Sequence, residues 1–95
     1  MQPFTEKVIK QIKAIPTGEV RSYREIAMEA GSSRGARQVA RILHSMSAKY
    51  DLPWHRVVNA QYHIALPKGE ARDTQISRLR QEGVKVDEQG KIDLS

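Results

Sequence analysis

The sequence predicts a mainly α domain with a small β component, and three observations lead there. Apolar residues recur at helical spacing in successive segments before residue 45. A gap of only a few residues, containing a glycine, separates the second and third of these segments. Strand-like β-branched character appears at Val57-Val58, and Val84, Val86 and Ile92 suggest a weak hairpin or tail at the end of the chain.

Phe4, Val8 and Ile12, with Ile9 beside them, place a first helix over about Thr5 to Ala14, and the turn residues Pro16-Thr17-Gly18 end it. Ser22-Tyr23-Arg24-Glu25 is a capping-box pattern. The Ser22 side chain can accept from the amide three residues on, while Glu25 reaches back. Ile26, Ala27 and Ala30 follow and Gly31 stops the helix, so the second helix spans about Tyr23 to Ala30. Ser32-Ser33 can cap a third helix running to about His44 or Ser45, which gives the spacing of a helix-turn-helix.

At about 100° per residue, Ala36, Val39, Ala40 and Leu43 fall on one side of the third helix, and Arg34, Arg37, Gln38, Arg41 and His44 on the other. Met46 to Asp51 reads as a polar connection. His55 to Val58 has the character of a short strand, and Gln61 to Arg72, with Pro67 and Gly69, that of a loop. Asp73 to Glu82 carries Ile76 and Leu79 and forms a fourth helix stopped by Gly83. Val84, Val86, Ile92 and Leu94 around Glu88-Gln89-Gly90 suggest a weak hairpin or an extended tail. With 95 residues, a single domain with a single core is expected.

Sixteen Lys and Arg against eleven Asp and Glu leave a net charge of +5, which favours polyanionic partners. The chain has no Cys, so a disulfide framework, a thiolate nucleophile and a cysteine zinc site are excluded. His44, His55 and His63 lack a tight ligand spacing, and neither a metal nor a cofactor is expected. Neither a signal-peptide pattern nor an apolar run of membrane-spanning length is present, so the expectation is an intracellular soluble protein.

Three constellations carry possible chemistry. The cationic side of the third helix uses Arg three times and Lys never, which suits bidentate phosphate or base contacts better than plain solubility; a solvated charged face is the competing reading. Tyr23 begins the second helix, where free amides attract a phosphate, although a half-buried packing tyrosine fits equally well. In "PWHRVV" (Pro53–Val58) the only tryptophan stands beside an imidazole that a remote carboxylate such as Glu82 could orient. Such a pair has a base and an orienter, but Trp54 gives the base nothing to activate. A core tryptophan flanked by a structural histidine is the alternative.

"IPTGEVRSYREIA" (Ile15–Ala27), "GARQVARIL" (Gly35–Leu43), "PWHRVV" and "QEG" (Gln81–Gly83) resemble, in order and nearly in spacing, the C-terminal DNA-binding domain of O6-alkylguanine-DNA alkyltransferases. That family carries Pro-Cys-His-Arg-Val where this chain has Pro-Trp-His-Arg-Val, so the chain is most similar to alkyltransferase-like proteins. The resemblance covers about Phe4 to Gly83, leaving 84–95 as a C-terminal tail, and implies a winged helix-turn-helix-like fold.

Carried over residue by residue, the resemblance makes Arg37 the arginine finger that enters through the minor groove and fills the gap left by an extruded nucleotide. Tyr23 becomes the tyrosine that crowds the 3′ phosphate of that nucleotide. Tyr23, Arg34, Arg37 and Arg41 are then the DNA-binding set. Trp54 matches the acceptor cysteine, His55 the histidine that deprotonates it through a water, and Glu82 the glutamate that holds the histidine. A lesion pocket formed by Tyr23, Trp54, His55, Val57, Pro67 and Lys68 is implied. The sequence departs from the family at Met46, which replaces a bracing Asn, and at Gln61-Tyr62-His63, which replaces a Gly-containing turn.

The function implied is non-enzymatic recognition of O6-alkylguanine in double-stranded DNA by nucleotide flipping, blocking alkyltransferase action and marking the lesion for nucleotide excision repair proteins. A monomer is expected, in the cytoplasm: nucleoid-associated in a bacterium, nuclear in a eukaryote. Two other classes compete. One is an enzyme using His55 and Glu82; the other is a sequence-reading helix-turn-helix regulator, which would ordinarily be dimeric.

Overall fold

The computed structural model describes residues 2–93. The order of elements is α1 (Pro3–Lys13), β1 (Arg21–Ser22), α2 (Tyr23–Glu29), α3 (Ala36–Tyr50), a 3₁₀ turn (Trp54–Arg56), β2 (Val57–Val58), α4 (Glu70–Gln81), β3 (Lys85–Val86) and β4 (Ile92–Asp93).

α1 starts earlier than the apolar spacing suggests because Pro3, whose missing N–H costs nothing in the first turn, opens it. It buries Val8, Ile9 and Ile12. The capping box of α2 is formed: the Ser22 hydroxyl accepts from the Glu25 amide at 3.1 Å, and the Glu25 carboxylate accepts from the Ser22 amide at 3.0 Å. α2 ends in a Schellman arrangement. Gly31 sits at φ 101°, the Ser32 amide donates to the Ala27 carbonyl at 2.9 Å and the Gly31 amide to the Met28 carbonyl at 3.0 Å.

α3 departs from expectation at both ends. Its N-cap is Gly35, without a side-chain cap, rather than Ser32-Ser33. A Cβ at Gly35 would lie 2.7 Å from the Phe4 ring, so the missing side chain lets the start of α3 approach α1 closely. The helix also runs through the stretch expected to be a polar connection. Met46 and Tyr50 continue the row of Val39 and Leu43 and pack on the core, while the intervening serines bond back to helix carbonyls, Ser45 to Arg41 at 2.9 Å and Ser47 to Leu43. Met46 is thus an apolar packing residue in mid-helix. Ala40, assigned to the packing side, is exposed, and Ile42 is buried in its stead.

The "PWHRVV" segment is not one strand. Trp54 to Arg56 make a single 3₁₀ turn, and only Val57 and Val58 are extended, pairing in parallel with β1 (Arg21 with Val57, Ser22 with Val58). β1 is too short to leave a period-2 signature and was not expected. Successive strand residues face opposite ways, and this divides the interior. Val57 points into a helical cluster with Val8, Ile12, Ile26, Val39 and Leu43, and Val58 into a second cluster with Val20, Ile64, Leu79, Val86 and Ile92. The expectation of a single core is corrected to two.

At the C-terminus, of the two readings, hairpin or extended tail, the structure takes the hairpin, and residues 84–93 join the second cluster through Val84, Val86 and Ile92 and do not form a tail. β3 and β4 form an antiparallel hairpin (Lys85 with Asp93, Val86 with Ile92), with Val86 and Ile92 buried. Arg80 donates to the Val86 carbonyl through two nitrogens, at 3.1 and 2.7 Å. Leu94, assigned to the same hairpin, lies outside the described residues. α4 begins at Glu70 rather than Asp73, with acidic Glu70 and Asp73 in its first turn, where the helix dipole favours them.

Candidate nucleic-acid interface

α2 and α3, joined by residues 30–35, form the helix-turn-helix. Arg37 and Arg41 are exposed on α3, and their guanidinium groups have no hydrogen bond or ion pair among the described residues. Arg34 is exposed as well but stands in the turn before α3, not on the helix. Unpaired guanidiniums along one edge of a helix can meet phosphates without first breaking an internal contact.

Beside this edge lies a cleft of about 410 Å³. α3 supplies Ala40, Leu43, His44 and Ser47; Tyr23, Trp54 and Leu66 come from the start of α2, the 3₁₀ turn and the following loop; Ala71 and Gln75 come from α4. Exposed Ala40 therefore keeps the α3 wall low where the cleft opens. Tyr23 is half-buried, and burial raises its phenol above the ordinary tyrosine range. It is held where it is by the α2 cap. Tyr62, in the left-handed conformation at φ 59°, donates its hydroxyl to Glu25, the same carboxylate that closes the capping box. That hydrogen bond pushes the Tyr62 phenol up to about 12. Burial pushes the Glu25 carboxyl up, but the hydrogen bonds from Tyr62 and Ser22 outweigh it and hold the group low.

Trp54 meets His55 edge to face, with ring centroids 6.4 Å apart and planes at 88°. His55 is buried, and its Nε2 lies 2.6 Å from Glu82 Oε2. The Nε2–H donates to the carboxylate, which leaves Nδ1 buried without a partner among the described residues. Glu82 is shared: Arg56 Nε donates to Oε1 at 2.9 Å, Arg56 Nη2 to Oε2 at 2.8 Å, and the Gly18 amide to Oε1 at 3.0 Å. The Arg56 hydrogen bonds are the largest cause that holds the Glu82 carboxyl at about 2. Arg56 also reaches the Ile15 carbonyl and the Thr17 hydroxyl, both at 3.0 Å.

The structure brings Tyr23 and Trp54 to one cleft, with His55 beneath the indole and Glu82 behind it. Other assigned pocket residues stand elsewhere. Val57 is 1% exposed within the helical core and lies behind the cleft, because the alternation of β2 turns it inward. Pro67 and Lys68 are exposed and outside the lining, where Leu66 takes the wall position in the same loop.

Sequence reasoning missed Leu66, Ala71 and Gln75. Gln75 had a visible signal, a polar residue on the buried face of α4. It is 3% exposed and its amide donates to the carbonyls of His55 at 3.3 Å and Val57 at 3.1 Å, fixing the 3₁₀ turn from below.

A helix-turn-helix with an open arginine edge beside a half-buried aromatic cleft defines a small nucleic-acid-binding domain. Residues 3–84 match the model of the 6-O-methylguanine DNA methyltransferase DNA-binding domain, and the chain belongs to that family. It is 42% identical over 94 residues to a DNA base-flipping protein of Vibrio parahaemolyticus, covering 99% of this chain and 93% of the relative. It is 37% identical over 89 residues to alkyltransferase-like protein 1 of Schizosaccharomyces pombe, covering 90% and 81%. The crystal structure of S. pombe Atl1 in complex with damaged DNA containing O6-carboxymethylguanine superposes with a TM-score of 0.82 at 33% identity, covering all of this chain and 91% of that one. With no cysteine in its sequence, this chain is an alkyltransferase homologue without a thiol acceptor.

Proposed function

We propose that this protein is a non-enzymatic sensor of O6-alkylguanine in double-stranded DNA, which flips the damaged nucleotide out through the minor groove and holds it in the cleft between Tyr23 and Trp54. The observation that carries the reading is the juxtaposition of an arginine edge, unpaired among the described residues, with an aromatic cleft, in a sequence without cysteine. Extruding a base costs a few kcal/mol of stacking and pairing, and a planar cation in the vacated stack offsets part of that. Arg37 is the residue for this role, Tyr23 crowds the adjacent phosphate, and Arg34 and Arg41 contact the backbone.

Trp54 stands at the position of the acceptor cysteine. An indole has no lone pair for displacement at the alkyl carbon, so the ligand is held and not dealkylated. His55 and Glu82 then act as structure behind the indole. The bound protein blocks alkyltransferase action, acts as a monomer in the compartment that holds the DNA, and hands the lesion to nucleotide excision repair proteins.

The test is equilibrium affinity for a duplex with one O6-methylguanine against the same duplex with guanine. Wild type should prefer the lesion, and Arg37→Ala should lose most of that preference. Equal affinities in wild type would refute lesion recognition. Sequence-selective footprints on undamaged DNA would favour a regulator instead, and radiolabel transferred from a methylated duplex to the protein, or released as methanol, would overturn the non-enzymatic reading.

A further inference from the structure

Arg78 stands on α4, apart from the helix-turn-helix and from the Glu82 network. On α4 it follows Ala71 and Gln75, both on the cleft wall, at the i+4 and i+7 repeat that keeps one row of a helix on one side. Its guanidinium carbon lies 5.5 Å from the centroid of the Trp54 ring, so the cation stands over the indole that walls the cleft, next to the lining residues and not among them. Arg78 is exposed, and its guanidinium has no hydrogen bond or ion pair among the described residues. A guanidinium held against an aromatic ring keeps its in-plane N–H donors available, and these match a carboxylate bidentately. No acidic side chain stands on the described walls of the cleft.

We infer that Arg78 is a specificity-determining residue that makes the cleft favour O6 substituents ending in a carboxylate over neutral substituents of similar size. This rests on the cleft being the site of the flipped guanine. A methyl group is uncharged and offers no acceptor to the guanidinium, so Arg78 adds little to recognition of O6-methylguanine. A two-carbon acid carries a carboxylate past the indole toward the guanidinium, whereas neutral alkyl groups offer nothing to the N–H donors. The site is open to water, which keeps the expected gain modest: about three- to fivefold in affinity, as for a partly exposed ion pair.

The experiment compares four otherwise identical duplexes carrying guanine, O6-methylguanine, O6-propylguanine or O6-carboxymethylguanine, with wild type, Arg78→Met and Arg78→Lys. Met keeps an unbranched apolar stem over the indole without charge. Wild type should bind the carboxymethyl duplex about three- to fivefold more tightly than the propyl duplex, and the preference should shrink as salt is raised. Arg78→Met should abolish that preference while leaving discrimination of O6-methylguanine from guanine unchanged, and Arg78→Lys should keep part of it. A wild type that binds propyl and carboxymethyl duplexes equally would overturn the inference. So would an Arg78→Met variant weakened equally on all four duplexes, which would make Arg78 a phosphate contact. Failure of the lesion-sensor reading itself is seen separately, as equal binding of guanine and O6-methylguanine by wild type.

Discussion

Replacing Glu82 by Gln preserves shape and removes charge, and it strikes a side chain near the cleft that holds three other residues. Oε1 accepts from Gly18 and Arg56, and Oε2 from Arg56 and His55. A glutamine must turn its NH₂ toward one of these donor pairs, so one oxygen's contacts are lost and two donors face each other. The carboxyl is held at about 2 against an ordinary 4.5, which corresponds to ~3 kcal/mol of stability at neutral pH. With the side chain 14% exposed, water screens part of this, and the expected cost of Glu82→Gln is about 2–3 kcal/mol at pH 7. The folded value lies below the unfolded one, so this stability is complete above about pH 5 and fades as pH falls towards 2. Urea unfolding of wild type and Glu82→Gln at a series of pH values from 7 to 3 measures it. A gap below about 0.5 kcal/mol at neutral pH, or one that stays constant down to pH 3, would refute the reasoning.

Ser22→Ala removes one half of the α2 capping box and should cost about 1 kcal/mol, read from urea midpoints with an unchanged slope. Gln75→Leu leaves the carbonyls of His55 and Val57 without their buried donor and should cost about 1–3 kcal/mol; because those carbonyls belong to the turn and strand around Trp54, the indole fluorescence should shift as well. Arg41→Ala should lower the slope of log affinity against log salt by about one while keeping lesion preference; loss of preference with an unchanged slope would place Arg41 in the base stack instead of on the backbone. Tyr62 should titrate near 12 in ultraviolet difference spectra, and Glu25→Gln should bring its titration back towards that of an ordinary tyrosine.

Local signals in the chain were reliable wherever they were self-contained. The α2 capping box is satisfied within four residues, and the Gly31 stop within six, so neither depends on a distant partner. Apart from the starts of α1 and α4, the errors in the elements arose where distant segments decide the outcome. α3 begins at Gly35 because Phe4 of α1 packs there, and it continues past Ser45 because Met46 and Tyr50 find the core. β1 and β2 exist only through their pairing with each other, and two-residue strands carry no periodicity to read. At the cleft, Tyr23 and Trp54 could be named from sequence, but the loop wall could not. Leu66 and not Pro67 or Lys68 lines it, and Arg72 fixes that segment by donating to the Leu66 carbonyl at 3.0 Å while also reaching the Gln89 carbonyl in the hairpin turn at 2.8 Å.

The His55–Glu82 pair looks like a base and its orienter, yet its surroundings explain its presence without chemistry. Glu82 and Arg56 together tie three segments: the turn at 15–18, the 3₁₀ turn that carries Trp54, and the end of α4. A 95-residue domain with two small cores has little stability to spare, since the net is of order 5–15 kcal/mol. A carboxylate contributing about 2–3 kcal/mol of that stabilises the fold whether or not a nucleophile stands beside the histidine. Loss of binding on substituting Glu82 would therefore point to a direct role at the cleft only if the fold survived. The discriminating residue is Trp54, whose indole touches the cleft and takes no part in the Glu82 network. Trp54→Ala should lower lesion affinity while sparing most of the pH-dependent stability assigned to Glu82.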